Sequence, residues 1–243
     1  MKKFQLISFF SGLALTFHFP GLAAAQNVST ANRDILVVSN LETHGRKDYA
    51  WLYRFLETMS VSLAEKTLKD SYRNLYVLAG ENSSTEKFAT SLQSLTQDPD
   101  LTALDVFIHL HGSPDRLWFE DRDARTEELG HQLKSTLSQA SKLRALYSTA
   151  CYGKSHAPDF LNAGFWVVNG AEKVNTNSPH DYPAFMNAWK SNQMFEAAQA
   201  DGNNPGWIAF YDSIAQAAGF DDVGSYKVVV GNGQTTIQSE RPL

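Results

Sequence analysis

Short apolar runs alternate with segments of helical periodicity along most of this chain, and this alternation constrains its fold more than any other feature. Each run is long enough for one buried strand, and the segments between runs space apolar residues as Leu52, Phe55 and Leu56 are spaced. Strands that alternate with helices, without hairpin turns between them, form parallel sheets covered by helices on both faces. The pattern therefore predicts an α/β fold with a mainly parallel sheet of roughly six strands. The predicted strands are residues 34–39, 74–79, 104–111, 143–148, 165–169 and 226–230, and the predicted helices are residues 49–68, 85–95, 126–137, 156–161, 183–200 and 207–218.

Two further groups of residues have simple structural interpretations. The charged residues 115–128 are expected to form a solvated loop that leads into a helix. No repeat, low-complexity tract or linker divides the chain after its N-terminal segment, so residues 26–243 are expected to form a single α/β domain. Several aromatic residues are expected to pack in the core and between helices rather than to hold a ligand: Trp189, Trp207, Phe210 and Tyr211.

The N-terminal residues have the three parts of a secretory signal peptide. A basic start with Lys2 and Lys3 precedes a largely apolar run over residues 4–19, and the alanines at residues 23–25 offer a cleavage site. The sequence therefore predicts a signal peptide over residues 1–25 and a mature protein that is periplasmic or secreted. An uncleaved membrane anchor is the alternative, although polar residues interrupt a run that is already short for a membrane span.

Charge and cysteine content exclude several classes of partner. The chain has 21 Lys and Arg against 26 Asp and Glu, a formal net charge of −5, and its basic residues form no stripe. We therefore expect no nucleic-acid partner. No later segment approaches the roughly 18 unbroken apolar residues of a membrane span, so no stable membrane insertion is expected after signal cleavage. The single cysteine cannot form an internal disulfide and leaves a free thiol.

Two short motifs close two of the predicted strands. Residues 108–112 read Ile-His-Leu-His-Gly, and residues 147–153 read Tyr-Ser-Thr-Ala-Cys-Tyr-Gly. Chemistry in open parallel sheets collects beyond the carboxyl ends of the strands, so a histidine and a cysteine placed there can meet. Alternation along the strand puts His109 and His111 on the same side. His111 is the better candidate base because it follows the buried part of the run, whereas His109 is expected to be packed or hydrogen-bonded.

Cys151 is the candidate reactive residue of the second motif. A free cysteine is most often a small buried hydrophobe, but its position between a strand and a flexible Tyr-Gly pair favours a nucleophile. A thiol needs a neighbouring imidazole or a helix N-terminus to become reactive at neutral pH, and Cys151 is expected to have both. The backbone N–H groups of Gly112 and Cys151 are the candidate donors to an oxyanion.

These motifs resemble those of the caspase-like cysteine peptidases of clan CD, which include caspases, legumain, clostripain and gingipains. In that family a His-Gly pair ends one strand and an Ala-Cys pair ends the next. The Cys-Tyr-Gly sequence at 151–153, followed by Phe160 and a further strand, resembles the pattern of bacterial relatives. The resemblance implies a three-layer caspase-like sandwich without a cofactor. It also implies that Cys151 is the nucleophile, that His111 is the general acid/base, and that Gly112 and Cys151 donate to the oxyanion.

The resemblance also implies a role for the loop after the first strand, which helps to form the pocket for the side chain before the scissile bond. In this chain the loop is residues 40–47, and His44 and Arg46 are its candidate pocket residues. The chain lacks the Gln-Ala-Cys-x-Gly sequence of caspases and the Glu-Ala-Cys sequence of legumain, since Thr149 precedes the Ala-Cys pair. A divergent bacterial-type member is therefore the better description.

The sequence thus predicts an exported cysteine endopeptidase that cleaves peptide or protein substrates through an acyl-enzyme on a Cys-His dyad. Two alternatives stay open: an inactive caspase-like binding or assembly module, and a thiol acyl-transferase that uses the same site. No metal site is expected, because the histidines lack compact ligand spacing. Ser148 is not expected to be a nucleophile, because it lacks the Gly-x-Ser-x-Gly turn of the α/β-hydrolases.

Overall fold

The computed structural model describes residues 27–240, and the predicted signal peptide over residues 1–25 lies outside the described residues. The strands are β1 (Arg33–Asn40), β2 (Asn74–Ala79), β3 (Ala103–Ser113), β4 (Arg116–Trp118), β5 (Asp123–Arg125), β6 (Leu143–Ser148), β7 (Val167–Ala171) and β8 (Lys227–Gly231). The helices are α1 (Ala50–Leu68), α2 (Thr85–Gln97), α3 (Thr126–Thr136), α4 (Gly153–Ala163), α5 (Ser178–Lys190), α6 (Phe195–Gly202) and α7 (Pro205–Ala217). Between residues 27 and 240, no helix is long and apolar enough to cross a membrane.

The main sheet has the strand order β2-β1-β3-β6-β7-β8. All neighbouring pairs from β2 to β7 are parallel, and β8 pairs with β7 in the antiparallel direction. The mainly parallel α/β fold predicted from the sequence is confirmed. The direction of β8 follows from its approach, because the chain returns beside the carboxyl end of β7, where the Lys173 N–H donates to the Gly224 carbonyl. A strand that starts at that end has to run back along β7.

Core side chains pack on both faces of the sheet, so the fold has three layers: helices, sheet and helices. Alternate residues of β3 face opposite layers, so Ile108 packs in the cluster that contains Phe160 of α4, while Phe107 packs against Phe185 of α5. The first cluster also takes residues from α2 and α3, and the second takes residues from α1 and α6. Helix α2 begins after Ser84, whose hydroxyl accepts the Lys87 N–H as an N-cap.

The structure of residues 115–128 differs from the prediction made from the sequence. They were expected to be a solvated loop, but β4 and β5 form an antiparallel hairpin that extends from the end of β3. The hairpin forms because Leu117 and Phe119 are fully buried against the α2–α4 side of the sheet. The predicted helix after it is present as α3.

The aromatic residues of α5 and α7 differ in burial. Trp189 is fully buried in α5, as expected, and Trp207 stacks on His180 of α5 while staying partly exposed. Phe210 is exposed on α7, which corrects the prediction for that residue. Ala215 is the only buried residue within α7. The apolar sequence of this helix therefore does not reflect core packing within residues 27–240.

A buried ion pair ties β8 and α5 to the centre of the sheet. The Lys227 ammonium contacts the Asp181 carboxylate and donates to the Tyr147 hydroxyl at 2.9 Å, and both charged side chains are almost completely buried. Gln199 of α6 donates to the other Asp181 oxygen at 3.0 Å. Burying two charges costs several kcal/mol per ion unless they are paired and hydrogen-bonded, as they are at this position.

Lys227→Ala leaves the Asp181 carboxylate buried without its partner, so we expect the free energy of unfolding to fall by about 3–5 kcal/mol. Urea denaturation measures this change. The control is Lys154→Ala, which breaks the exposed pair with Glu172 and is expected to cost less than about 1 kcal/mol. Equal effects of the two substitutions would contradict the role of the buried pair.

Candidate active site

His111 lies near the end of β3, where the strand leaves the core and the side chain becomes half-buried. Its Nε2 lies 2.8 Å from the carbonyl oxygen of Leu41, in the loop after β1. A carbonyl only accepts, so Nε2 carries a hydrogen and, in the neutral ring, Nδ1 keeps its lone pair. The ring of Tyr53 in α1 contacts the imidazole edge-on, with the ring centroids 4.8 Å apart. His111 is thereby held with Nδ1 as its basic nitrogen.

Burial lowers the pKa of His111 below its ordinary value of 6.5, because removal from water penalises the imidazolium. The hydrogen bond to Leu41 and the negative charge of Glu57 act in the opposite direction, while His44 adds to the lowering. The imidazole is therefore neutral at pH 7 and can accept a proton.

Cys151 follows β6 after a two-residue extension and carries the only thiol of the chain. Its Sγ accepts the backbone N–H of Asn175 at 3.3 Å, and the Asn175 side-chain amide donates to the Thr149 carbonyl at 2.9 Å. Burial raises the pKa of the Cys151 thiol, whereas the Asn175 N–H lowers it. The resting thiol is therefore protonated at neutral pH and has a donor in place to stabilise negative charge on sulfur.

The two motifs lie side by side because β3 and β6 are neighbours, with Ile108 opposite Ser148. Gly112 packs so closely on the second motif that a Cβ atom there would overlap the carbonyl oxygen of Cys151. The glycine is required for this approach of the two backbones. Within the described chain, the Cys151 thiol and the His111 imidazole make no direct hydrogen bond, and such contacts are often loose in free enzymes.

Tyr152 makes the turn from Cys151 into α4. It has a φ of 56°, in the left-handed region, and α4 begins at the next residue. A non-glycine residue in this region costs of order 1–3 kcal/mol, which the surrounding contacts have to offset. The Tyr152 N–H donates to the Lys173 carbonyl at 2.8 Å, and its hydroxyl donates to Asp222 at 2.9 Å. The turn places Cys151 just before the N-terminus of α4. This helix begins at Gly153, earlier than the helix predicted over residues 156–161.

The loop after β1 has its two candidate pocket residues in different surroundings. His44 donates from Nε2 to the Phe119 carbonyl at 2.6 Å and packs edge-on against Trp118, so the β4–β5 hairpin holds its ring. The exposed Arg46 guanidinium lies over the rings of Tyr49 and Phe220, 5.0 Å from each centroid. No carboxylate among the described residues forms an ion pair with Arg46. A pocket role for His44 and Arg46 stays a prediction.

Two other histidines near the site are structural. His109 is buried, hydrogen-bonded from Nδ1 to Thr149 Oγ1 at 3.1 Å, and packed on the Tyr182 ring, as predicted. Burial lowers its pKa to about 3. His156 of α4 donates to the Ser113 carbonyl at 2.8 Å and supports the backbone beside Gly112. Nowhere in residues 27–240 do three or more His, Cys, Asp or Glu side chains group as metal ligands would.

Three contributors to this site were missed by sequence analysis: the Leu41 carbonyl, the Asn175 N–H and the Tyr53 ring. Two of them are backbone groups, which leave no residue-type pattern. The location of Asn175 after β7, at the same edge of the sheet as His111 and Cys151, was the available signal.

Known proteins match this chain in structure but not in sequence. No protein-family model and no curated protein sequence matches it. The crystal structure of caspase-1 from Spodoptera frugiperda is similar with a TM-score of 0.60 and 12% sequence identity, over 90% of this chain and 94% of that chain. At this identity the similarity shows the fold, so the protein has a caspase-like three-layer α/β fold, as the resemblance of its motifs implied.

Gly112→Ala places a methyl group against the Cys151 carbonyl, so the end of β3 has to shift. We expect a loss of stability of about 1–3 kcal/mol and slower alkylation of Cys151 by iodoacetamide, measured by urea denaturation and intact-protein mass spectrometry. Gly206→Ala is the control, because a Cβ there meets only the side-chain oxygen of Asn204. Unchanged stability and alkylation in Gly112→Ala would contradict the close approach.

Proposed function

We propose that this protein is an exported cysteine endopeptidase, a divergent bacterial-type relative of the caspase-like peptidases. The observation that carries the proposal is the pairing of β3 with β6 in a caspase-like sheet. That pairing brings the Gly112 backbone against Cys151, next to a histidine whose Nδ1 is free to accept a proton. The caspase-like fold of the chain supports a cysteine peptidase activity. Export rests on the signal peptide predicted for residues 1–25.

In the proposed reaction, His111 Nδ1 accepts the proton of the Cys151 thiol while Sγ attacks the peptide carbonyl carbon. The carbonyl oxygen takes the electron pair and is stabilised by the N–H groups of Gly112 and Cys151. The protonated Nδ1 then gives its proton to the leaving amine as the C–N bond breaks. Water, deprotonated by the same nitrogen, hydrolyses the thioester and releases the acid and the free thiol.

The directions of the two pKa shifts define the resting state. The thiol pKa is raised and the imidazole pKa is lowered, so the free site holds a neutral thiol and a neutral imidazole rather than an ion pair. Proton transfer therefore accompanies the attack on substrate. The Asn175 N–H, already on Sγ, stabilises the charge that develops there.

Two other functions share this geometry. A transpeptidase forms the same acyl-enzyme and resolves it with an amine instead of water. The raised thiol pKa, without a direct hydrogen bond between thiol and imidazole, favours an inactive binding module as the second candidate.

Hydrolysis of a mixed peptide library, followed by mass spectrometry, tests the proposal. We expect new N-termini with the wild-type protein and none with Cys151→Ala. His111→Ala is expected to reduce cleavage by roughly 10²–10⁴-fold, the usual contribution of a general acid/base. An added amine nucleophile separates ligation from hydrolysis. Absence of any cleavage or ligation in the wild type would overturn the proposal in favour of the binding module.

The pH dependence of hydrolysis follows from the pKa of His111. The base must be neutral, so activity falls as the pH decreases through the pKa of His111 in the folded protein. That pKa lies below its ordinary value of 6.5 because burial disfavours the charged ring. We therefore expect the acid limb of the kcat/KM profile to have its midpoint below pH 6.5. A midpoint clearly above that value would contradict a neutral, buried His111 as the base.

A further inference from the structure

A carboxylate of α1 holds the loop that hydrogen-bonds to His111. Glu57 Oε2 accepts the N–H of Leu41 at 2.8 Å and the N–H of Glu42 at 3.1 Å. One oxygen thus holds two consecutive peptide groups at the point where the chain leaves β1. Glu57 is half-buried, and such charge-assisted hydrogen bonds are roughly twice as strong as neutral ones.

The second of these hydrogen bonds reaches His111 through a single peptide group. The N–H of Glu42 and the carbonyl of Leu41 belong to the same amide, and that carbonyl accepts the Nε2–H of His111. The carboxylate, the amide and the imidazole therefore form a continuous chain of hydrogen bonds. Each bond in such a chain polarises the next, so the charge on Glu57 makes the Leu41 oxygen a stronger acceptor.

The same face of α1 fixes the geometry of this chain. Tyr53 lies one turn before Glu57 and packs edge-on against the imidazole. Ser60 lies nearly one turn after it, and its hydroxyl is hydrogen-bonded to that of Ser39 in β1 at 2.8 Å. Three contacts of one helix face thus anchor the end of β1 and the His111 ring together.

We propose that Glu57 is a positioning residue that fixes His111 in its Nε2–H tautomer through the peptide group between Leu41 and Glu42. This keeps Nδ1 as the proton acceptor. The inference deepens the proposed function, because it concerns the base of the Cys-His dyad, and it assigns Glu57 no contact with substrate.

The charged and titratable groups around the imidazole define the expected shifts. Glu57 raises the pKa of His111 and His44 lowers it, and Tyr53 is the titratable side chain in ring contact with it. The other acid of this loop, Glu42, directs its carboxylate to Arg54 on the surface. Glu42→Gln is therefore the matched control, because it removes an equal charge from the same loop and leaves the backbone chain of hydrogen bonds in place.

The test is nitrogen-15 NMR of histidine-labelled full-length protein, which reports the tautomer and the pKa of each imidazole. The His111 signals are assigned by their absence in His111→Ala. Wild-type protein is expected to hold the Nε2–H tautomer. In Glu57→Ala the two tautomers are expected to mix and the pKa of His111 to fall, since a stabilising negative charge is lost. Glu42→Gln is expected to change neither.

Glu57→Gln separates charge from shape. Its amide oxygen can still accept both N–H groups, so we expect it to keep the tautomer while lowering the pKa of His111. It also serves where Glu57→Ala does not fold. An unchanged pKa in Glu57→Gln, together with an unchanged tautomer in any folded Glu57→Ala, would overturn the proposal.

Peptide hydrolysis distinguishes failure of this inference from failure of the proposed function. If the protein is a peptidase, Glu57→Ala is expected to lower kcat by about 10-fold with little change in KM, a fraction of what a general base contributes. Glu57→Gln is expected to restore part of kcat. Unchanged kcat in Glu57→Ala, with active wild type, would contradict the positioning role. If the wild type cleaves nothing but the NMR shifts occur, the peptidase proposal fails and the positioning of His111 by Glu57 stands.

Discussion

Parallel pairing of three central strands is the constraint on which the rest of the site depends. β3 lies between β1 and β6, and the registers place Leu110 beside Asn40 and Ile108 beside Ser148. The chain leaving β1 therefore meets His111 on one side, and the chain leaving β6 meets Gly112 on the other. The Leu41 carbonyl and Cys151 are consequences of this convergence. A shift of one residue in either register would move the imidazole to the other face of the sheet.

Buried polar groups secure the same strands away from the site. Arg144 of β6 makes a bidentate ion pair with Asp105 of β3, and Tyr72 donates to the same carboxylate at 2.6 Å. Arg144 also donates to the Ile237 carbonyl at 2.6 Å, which holds the C-terminal segment against β6. Charges this deeply buried are tolerated only with full sets of partners. These partners exist in one strand arrangement, so the ion pair links the order of the strands to the position of the His111 and Cys151 motifs.

The apolar strands and the periodic helices were predictable from the sequence. The contributions of backbone groups to the site were not. The bounds of β2 and β6 were correct because each strand contains a short apolar run that ends at a polar residue or a turn. The hairpin of β4 and β5 was missed because strands of three residues show no periodicity and charged side chains mask Leu117. The His111 and Cys151 motifs were visible as residue types. The Leu41 carbonyl and the role of Glu57 were not, since one depends on a backbone atom and the other on the folded loop.

If Cys151 and His111 act as one unit, loss of the imidazole slows the alkylation of Cys151 at neutral pH. Wild type and His111→Ala are treated with iodoacetamide, and the adduct is located by peptide mapping. We expect the wild-type thiol to react faster than the thiol of His111→Ala, because the neutral imidazole accepts the thiol proton during the attack. Equal alkylation rates in the two proteins would contradict this coupling.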